Sequence, residues 1–296
     1  MIFGYSINLL VMQAILGLSL GAIYVLMASG LSIIYSLLDI VNFAHGAFYM
    51  LGAYGIYFFL NYIGNFYIAL LLSIVIVTII GMITEIYLLK PLYSRGDPLH
   101  PLLLTFGLSL VFPDIIKIFF GLIGKNVNFP DQMIGAIYWK SLVIPKYQLF
   151  IILISIASIS FVAILLKKTN IGMILRASTR DSLMVKLLGI NVSRMWTLGF
   201  MVGTAFAALA GGMMAPLVSA IPDMGVSIIL PCFVVVVVGG LGSLEGAIIS
   251  GIIIGETVSF VSLFAGAYSD VVIFVIMAIV LIIRPRGLLG QIGRKG

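Results

Sequence analysis

Charge is scarce in this chain. Only 9% of its 296 residues are Asp, Glu, Lys or Arg, where a soluble domain carries roughly a quarter. Residues 1–38 and 195–222 hold none, and within 40–84 only His45 could carry one. Cysteine is almost absent as well. A single Cys232 excludes an intramolecular disulfide and a Cys metal cluster. It borders the apolar run 233–238 and reads as packing. The first residues lack a basic start and a clean cleavage site, so the first apolar run is expected to be a retained span rather than a signal peptide.

What is present is apolar length. Mean hydropathy is +1.27 and 62% of residues are hydrophobic. The uncharged runs exceed the roughly 20 residues that a helix needs to cross a hydrocarbon core. Only helices and closed barrels satisfy their backbone in lipid. A barrel strand would alternate apolar and polar residues over about ten positions, and these runs are solidly apolar. The expected fold is therefore all-α, a polytopic membrane helix bundle of 8–10 spans forming one domain over residues 1–296. The formal charge of +6 is explained by basic loops that set topology, so no nucleic-acid partner is expected.

The apolar segments are 9–28, 46–60, 66–89, 102–122, 149–166, 195–218, 226–238, 247–264 and 271–283, with a further short piece at 30–39. Between 166 and 195 stand Lys167, Lys168, Arg176, Arg180, Lys186 and Arg194 against Asp181 alone. Basic loops stay in the cytoplasm, which assigns this segment, the 90–95 loop with Lys90 and Arg95, and the tail with Arg284, Arg286, Arg294 and Lys295 to that side. An even number of crossings must then separate Arg194 from Arg284. One unbroken span over 226–264 would make it odd. Three glycines in four residues, Gly239, Gly240 and Gly242 before Ser243, supply the break, since each costs a helix interior about 1 kcal/mol relative to Ala.

A second break is expected at Asn42-Phe43-Ala44-His45-Gly46, where polar groups interrupt an apolar stretch. Broken segments in corresponding halves point to a transport pathway, because free backbone is tolerated only where protein or a water-filled cavity satisfies it. Asn42 and His45 would then cap and brace a helix end or line the path. A proton relay or a metal site would need acidic partners, and Asp39 is the one nearby, so no metal or cofactor is expected.

Small residues recur at helical spacing: Gly17 and Gly21, Gly199 and Gly203, Gly242 and Gly246, Gly251 and Gly255, Ala207 and Gly211. This pattern lets helices approach closely. Glu245 is expected at a helix start or interface, and Glu256 at the end of its glycine run. The stretch from Gly121 to Asn126 only resembles a phosphate loop, since position 119 is Phe and position 126 is Asn. ATP hydrolysis, if it drives this chain, belongs to another polypeptide. No nucleophile and base spacing suggests an enzyme. Within 167–195, Ile174, Ala177, Asp181, Met184, Val185 and Leu188 fall near helical spacing, and Gly189 reads as a stop. One short amphipathic helix is expected there, lying on headgroups or docked to a partner.

Four blocks carry a family resemblance. They are the run from Gly30 to Tyr54 with its N-F-A-H-G, the R-A-S-T-R-D-S-L-M-V-K-L-L-G-I-N-V-S-R loop, the V-V-V-V-G-G-L-G-S-L-E-G run, and the terminal R-P-R-G-L-L-G. Together they resemble the permeases of branched-chain amino acid ABC transporters, in particular the permease that carries N-F-A-H-G. Departures are Ala47, Asp39 and Glu245, where the family often has Glu, a neutral residue and Pro. The resemblance implies a permease subunit in the cell membrane, paired with a second homologous permease. It implies two ATP-binding ABC subunits on the cytoplasmic loops and an extracytoplasmic substrate-binding protein. Arg176, Asp181, Gly189 and Asn191 would belong to the coupling element. Asn42, Phe43, His45, Gly46, Gly239, Gly240, Gly242 and Ser243 would flank the translocation path. Urea and short-chain amide permeases are similar to this family. A stand-alone carrier would need paired intramembrane charges, and a channel would need no docking helix.

Overall fold

The computed structural model describes residues 7–93, 97, 99–139 and 142–290. Arg95, Arg294 and Lys295, used above to assign sides, lie outside the described residues. The chain opens with α1 (Ile7–Leu38), α2 (His45–Ile63) and α3 (Phe66–Thr84). A π-helical turn (Glu85–Leu89) continues α3 into α4 (Lys90–Tyr93), and α5 follows (Leu99–Phe120). An antiparallel hairpin, β1 (Ala136–Trp139) with β2 (Leu142–Pro145), precedes α6 (Lys146–Lys168). Two short helices come next, α7 (Asn170–Arg180) and α8 (Ser182–Leu187). The last four are α9 (Val192–Val218), α10 (Met224–Gly239), α11 (Leu244–Ala265) and α12 (Ser269–Ile283).

Among the described residues, six stretches are long and apolar enough to cross a membrane, and the last of them holds both α11 and α12. The 16 residues of α10 fall short in length. The 19 residues of α2 are long enough, but His45, Asn61 and four tyrosines lower their hydropathy. The architecture is thus the expected all-α bundle, with one small hairpin that the apolar pattern did not signal.

The pieces 9–28 and 30–39 form one helix. At 1.5 Å per residue, the 32 residues of α1 reach about 48 Å, and the helix packs against α11, α9, α6 and α10. Gly30, which interrupts the apolar pattern, sits inside it. A Cβ there would lie 2.8 Å from the Gly203 carbonyl of α9. Gly21 of α1 similarly faces the Gly251 carbonyl at 3.1 Å, and Gly17 faces Glu256. The glycine pairs therefore serve contacts within the chain, where close van der Waals approach stabilises helix packing in a lipid setting. Buried hydroxyls add inter-helix bonds: Ser73 donates to Gly52 (2.8 Å), Ser250 to Val235 (2.7 Å) and Tyr147 to Met213 (2.7 Å).

The two ends of the bundle differ in charge. Lys167 pairs with Glu245 at 3.0 Å, the backbone of Leu288 bonds Val238, and Gly242 lies against Ser36. These contacts gather 167–194, 239–243 and 284–290 at one end. At the other, Lys125 pairs with Ala220 through backbone bonds of 2.8 and 2.9 Å, and Lys117 bridges Asp114 and Asp223 at 3.3 Å each. The first end is rich in Lys and Arg; among the described residues, the second mixes Lys117, Lys125 and Lys146 with Asp114, Asp131, Asp223 and Asp270.

Candidate functional site

Both expected breaks are present. After Leu38 the chain leaves α1 through Asp39, which adopts a left-handed φ of 56°. It turns back into the bundle and starts α2 at His45. Asn42 builds that turn. Its Oδ1 accepts the Ala44 N–H at 3.1 Å, and its own carbonyl accepts the His45 N–H at 3.3 Å. Asn is suited to this because its short amide folds back on its own backbone. Thr105 of α5 closes the other side: its hydroxyl accepts the Phe43 N–H and lies 3.3 Å from the Val41 carbonyl. Sequence reasoning missed Thr105, a lone hydroxyl in an apolar run.

His45 is wholly buried and Asn42 is 1% exposed. The His45 Nε2 lies 3.0 Å from the Met27 carbonyl, and since a carbonyl only accepts, Nε2 donates. Met27 precedes the end of α1 by eleven residues, so the ring sits about 16 Å back along that helix. The α2 start is therefore deep in the bundle, beyond what loop parity could establish. Gly30 makes room for the ring, because a Cβ there would lie 3.0 Å from the His45 Cε1. Gly46 is in backbone contact with Gly225 of α10. The His45 Nδ1 and the Asn42 Nδ2 have no hydrogen-bond partner in the protein. Two orphaned polar atoms on one buried turn are costly.

The second break is made by backbone. Gly240 has φ 103°, and a Cβ there would lie 2.6 Å from the Gly290 Cα. The terminal segment packs against it: Leu288 N–H donates to Val238 (2.8 Å) and Leu289 N–H to Gly239 (3.0 Å). Gly242 is also left-handed, with φ 78°. Ser243 then caps α11 through the Gly246 N–H at 3.0 Å. Two of the four quoted blocks, V-V-V-V-G-G-L-G-S and R-P-R-G-L-L-G, thus dock on one another.

Between the breaks lies an apolar cleft of about 230 Å³. Leu31 and Tyr35 of α1, Val41 and Phe43 of the first break, Phe233, Val236 and Val237 of α10, and Leu241 of the second break line it. Phe43 and Phe233 form its aromatic wall, with ring centroids 5.2 Å apart. Of the eight expected break residues, Phe43 reaches the cleft. Asn42, His45 and Gly46 do not line it but belong to the same turn as Phe43, and Gly239, Gly240, Gly242 and Ser243 do not line it but flank Leu241 in the chain.

The 167–195 segment corrects the single expected helix. Asp181 ends α7 and its Oδ1 accepts the Met184 N–H at 2.9 Å, which starts α8. The same carboxylate that fits the helical spacing competes with the helix for that N–H. Gly189 ends α8 with φ 79°, as a left-handed helix stop requires. Asn191 caps α9 through the Arg194 N–H at 3.2 Å. Asp181, Gly189 and Asn191 thus shape the loop, and Arg176 lies on α7 in the solvent. On α8, Leu183, Met184 and Leu187 are exposed, as is Leu188 just after it.

The chain is similar to known proteins over nearly its full length. The profile of the family described as "Branched-chain amino acid transport system / permease component" matches residues 13–281. The high-affinity branched-chain amino acid transport system permease protein BraD of Pseudomonas aeruginosa is 28% identical, across 94% of this chain and 95% of its own length. The corresponding permease protein LivH of Escherichia coli K12 is 29% identical over 93% and 94%. A probable branched-chain amino acid transport permease protein LivH of Methanocaldococcus jannaschii is 30% identical over 92% and 90%.

Proposed function

The chain belongs to the family of branched-chain amino acid transport permeases, and from that premise we propose how it works. It is a multi-pass membrane permease and not an enzyme. The substrate is a branched-chain or other hydrophobic amino acid, imported across the cytoplasmic membrane at the cost of ATP. The observation that carries this reading is the meeting of both chain breaks at one apolar cleft. Its lining suits an aliphatic side chain, while helix starts and freed backbone groups lie close by. A urea or small amide would leave that surface unused.

The basic end of the bundle faces the cytoplasm, with the C-terminus, by the bias of Lys and Arg. There α7 and α8 form the coupling element. Exposed Leu183, Met184, Leu187 and Leu188 offer an apolar face that two ATP-binding subunits would cover. A second homologous permease completes the path, and an extracytoplasmic binding protein delivers substrate to the opposite end. The test is purification of the chain from its membrane with whatever accompanies it, followed by uptake of leucine against urea in proteoliposomes. An ATPase and a second permease in the complex, with ATP-dependent leucine uptake, are expected. A chain that purifies alone and moves leucine without ATP overturns the reading.

A further inference from the structure

Away from the cleft, one buried cluster has no role in the account above. Glu85 is wholly buried at the start of the π-helical turn. Its Oε2 accepts the Thr197 hydroxyl of α9 at 2.7 Å, and its Oε1 has no partner in the protein. Next to Thr197, the Trp196 ring meets Tyr93 of α4 edge to face, with centroids 5.6 Å apart and planes at 87°. The Trp196 Nε1 and Tyr93 hydroxyl are likewise buried without partners. On the outer face of the same indole sits Lys186 of α8, its Nζ 5.5 Å from the ring centroid. That is a cation–π contact. Three orphaned polar atoms in one cluster, one of them an oxygen of the carboxylate itself, are poor stability design, and a carboxylate within a membrane bundle is a mark of function.

Resting on the importer reading, we propose that Glu85, Tyr93 and Trp196 are positioning residues that pass movement of the α7–α8 coupling element into the bundle. The chain of contacts is continuous: Lys186 on α8, Trp196 and Thr197 on α9, Tyr93 on α4, Glu85 at the foot of α3. It also runs through the π-helical turn. The Lys90 N–H bonds the Glu85 carbonyl, an i to i+5 bond that inserts one extra residue into the helix. Returning that turn to α geometry rotates everything beyond it by about 100° and shifts it by about 1.5 Å. Tyr93 would swing relative to Trp196, and the Glu85 carboxylate relative to Thr197. The orphaned atoms of Glu85, Tyr93 and Trp196 would change neighbours with it. Higher up, α3 and α9 are locked together where Gly81 packs on Thr204, so movement at their feet reaches the core of the bundle.

The experiment compares Glu85→Gln and Tyr93→Phe with the wild-type complex in proteoliposomes, reading leucine molecules imported per ATP hydrolysed. Both changes keep volume, and Tyr93→Phe removes only a hydroxyl. The expected result is a fall of that ratio by about fivefold or more, in line with the effect of changes along a coupling network, with hydrolysis retained. Import and hydrolysis that fall together at an unchanged ratio show a merely structural cluster and overturn the proposal. An unchanged ratio with normal rates overturns it equally. If Glu85→Gln does not assemble, Tyr93→Phe decides by the same ratio. A wild-type complex that imports leucine without hydrolysis removes the importer reading itself, which the control detects before any variant is compared.

Discussion

The two breaks solve one problem by opposite means. The first, at 39–44, is held by side chains: Asn42 folds on its own backbone, Thr105 reaches in from α5, and His45 anchors on α1. It lies deep among packed helices. The second, at 240–243, is held by backbone meeting backbone, and works because side chains are missing. Gly240 and Gly290 touch where a Cβ would not fit, and amides of Leu288 and Leu289 bond the end of α10. A break made of side chains can be altered one group at a time. A break made of glycine fails as soon as any side chain is added. The comparison predicts steep, all-or-none effects at the second break and graded ones at the first.

The largest effect is expected at Gly240→Leu. Forcing a side chain into a φ of 103° costs about 1–3 kcal/mol before any clash, and the clash with Gly290 comes on top. The variant should lose most of its detergent-stable yield, measured by size-exclusion chromatography of the tagged chain. Normal yield and uptake would mean that the terminal segment moves aside freely, and the backbone account of this break would fail.

That contact was half legible in the sequence. Three glycines among valines announced a break, because nothing else explains glycine in such a run. The docking of residues 287–290 onto it was not, since it rests on backbone atoms that carry no residue signature. The first break was legible from Asn42 and His45, two polar residues that lipid would not tolerate unsatisfied. Its depth was not, because parity counts crossings and says nothing of where between the faces a helix begins. Gly30 looked like the edge of a segment and is instead the seat of the His45 ring within a continuous helix. The split of α7 from α8 was hidden for a related reason. Asp181 matches the helical spacing, and only its hydrogen bond to Met184 shows that it starts a new helix. Family membership was legible from whole blocks of sequence, whereas the Glu85 cluster is assembled from residues far apart in the chain that no local pattern announces.

At the first break the graded series begins with His45→Ala. It removes the bond to Met27 and leaves a void against Gly30, at a cost of about 2–4 kcal/mol. Thermal unfolding of the purified complex in detergent checks this. His45→Ala combined with Gly30→Ala tests the other contact of that glycine: the added methyl meets the Gly203 carbonyl at 2.8 Å whether or not the ring is present, so the double variant should be less stable than His45→Ala alone. Equal stability of the two would mean that α1 and α9 move apart freely at Gly30, and the close approach of these helices would not hold.

Thr105→Val should cost less, about 1–2 kcal/mol, since it keeps the shape but leaves the Phe43 N–H without an acceptor. Phe43 borders the apolar cleft, so this variant also separates stability from transport. Leucine uptake should fall more than the unfolding temperature suggests if the Phe43 wall must hold its position. A loss of uptake that merely tracks stability would leave the Phe43 wall out of substrate handling.

The smallest effect belongs to Asp39→Gly, at the position where the first break borrows the device of the second. Asp39 is one of two described non-glycine residues with positive φ, the other being Ser219, and its side chain is exposed. Asp tolerates the left-handed region better than most residues, so its strain is below the roughly 1–2 kcal/mol typical of an L residue there. Asp39→Gly removes that strain but gives the unfolded chain more freedom, and the two nearly cancel. The backbone terms alone therefore leave the unfolding temperature within a degree or two of wild type, and a larger fall measures what the Asp39 side chain contributes. Asp39→Val should lower stability by about 1–2 kcal/mol, because a β-branched residue meets the full steric cost. If Val is as harmless as Gly, the turn out of α1 has room to relax. The first break would then be held from the Asn42 side alone, and the contrast with the rigid glycine break would be sharper still.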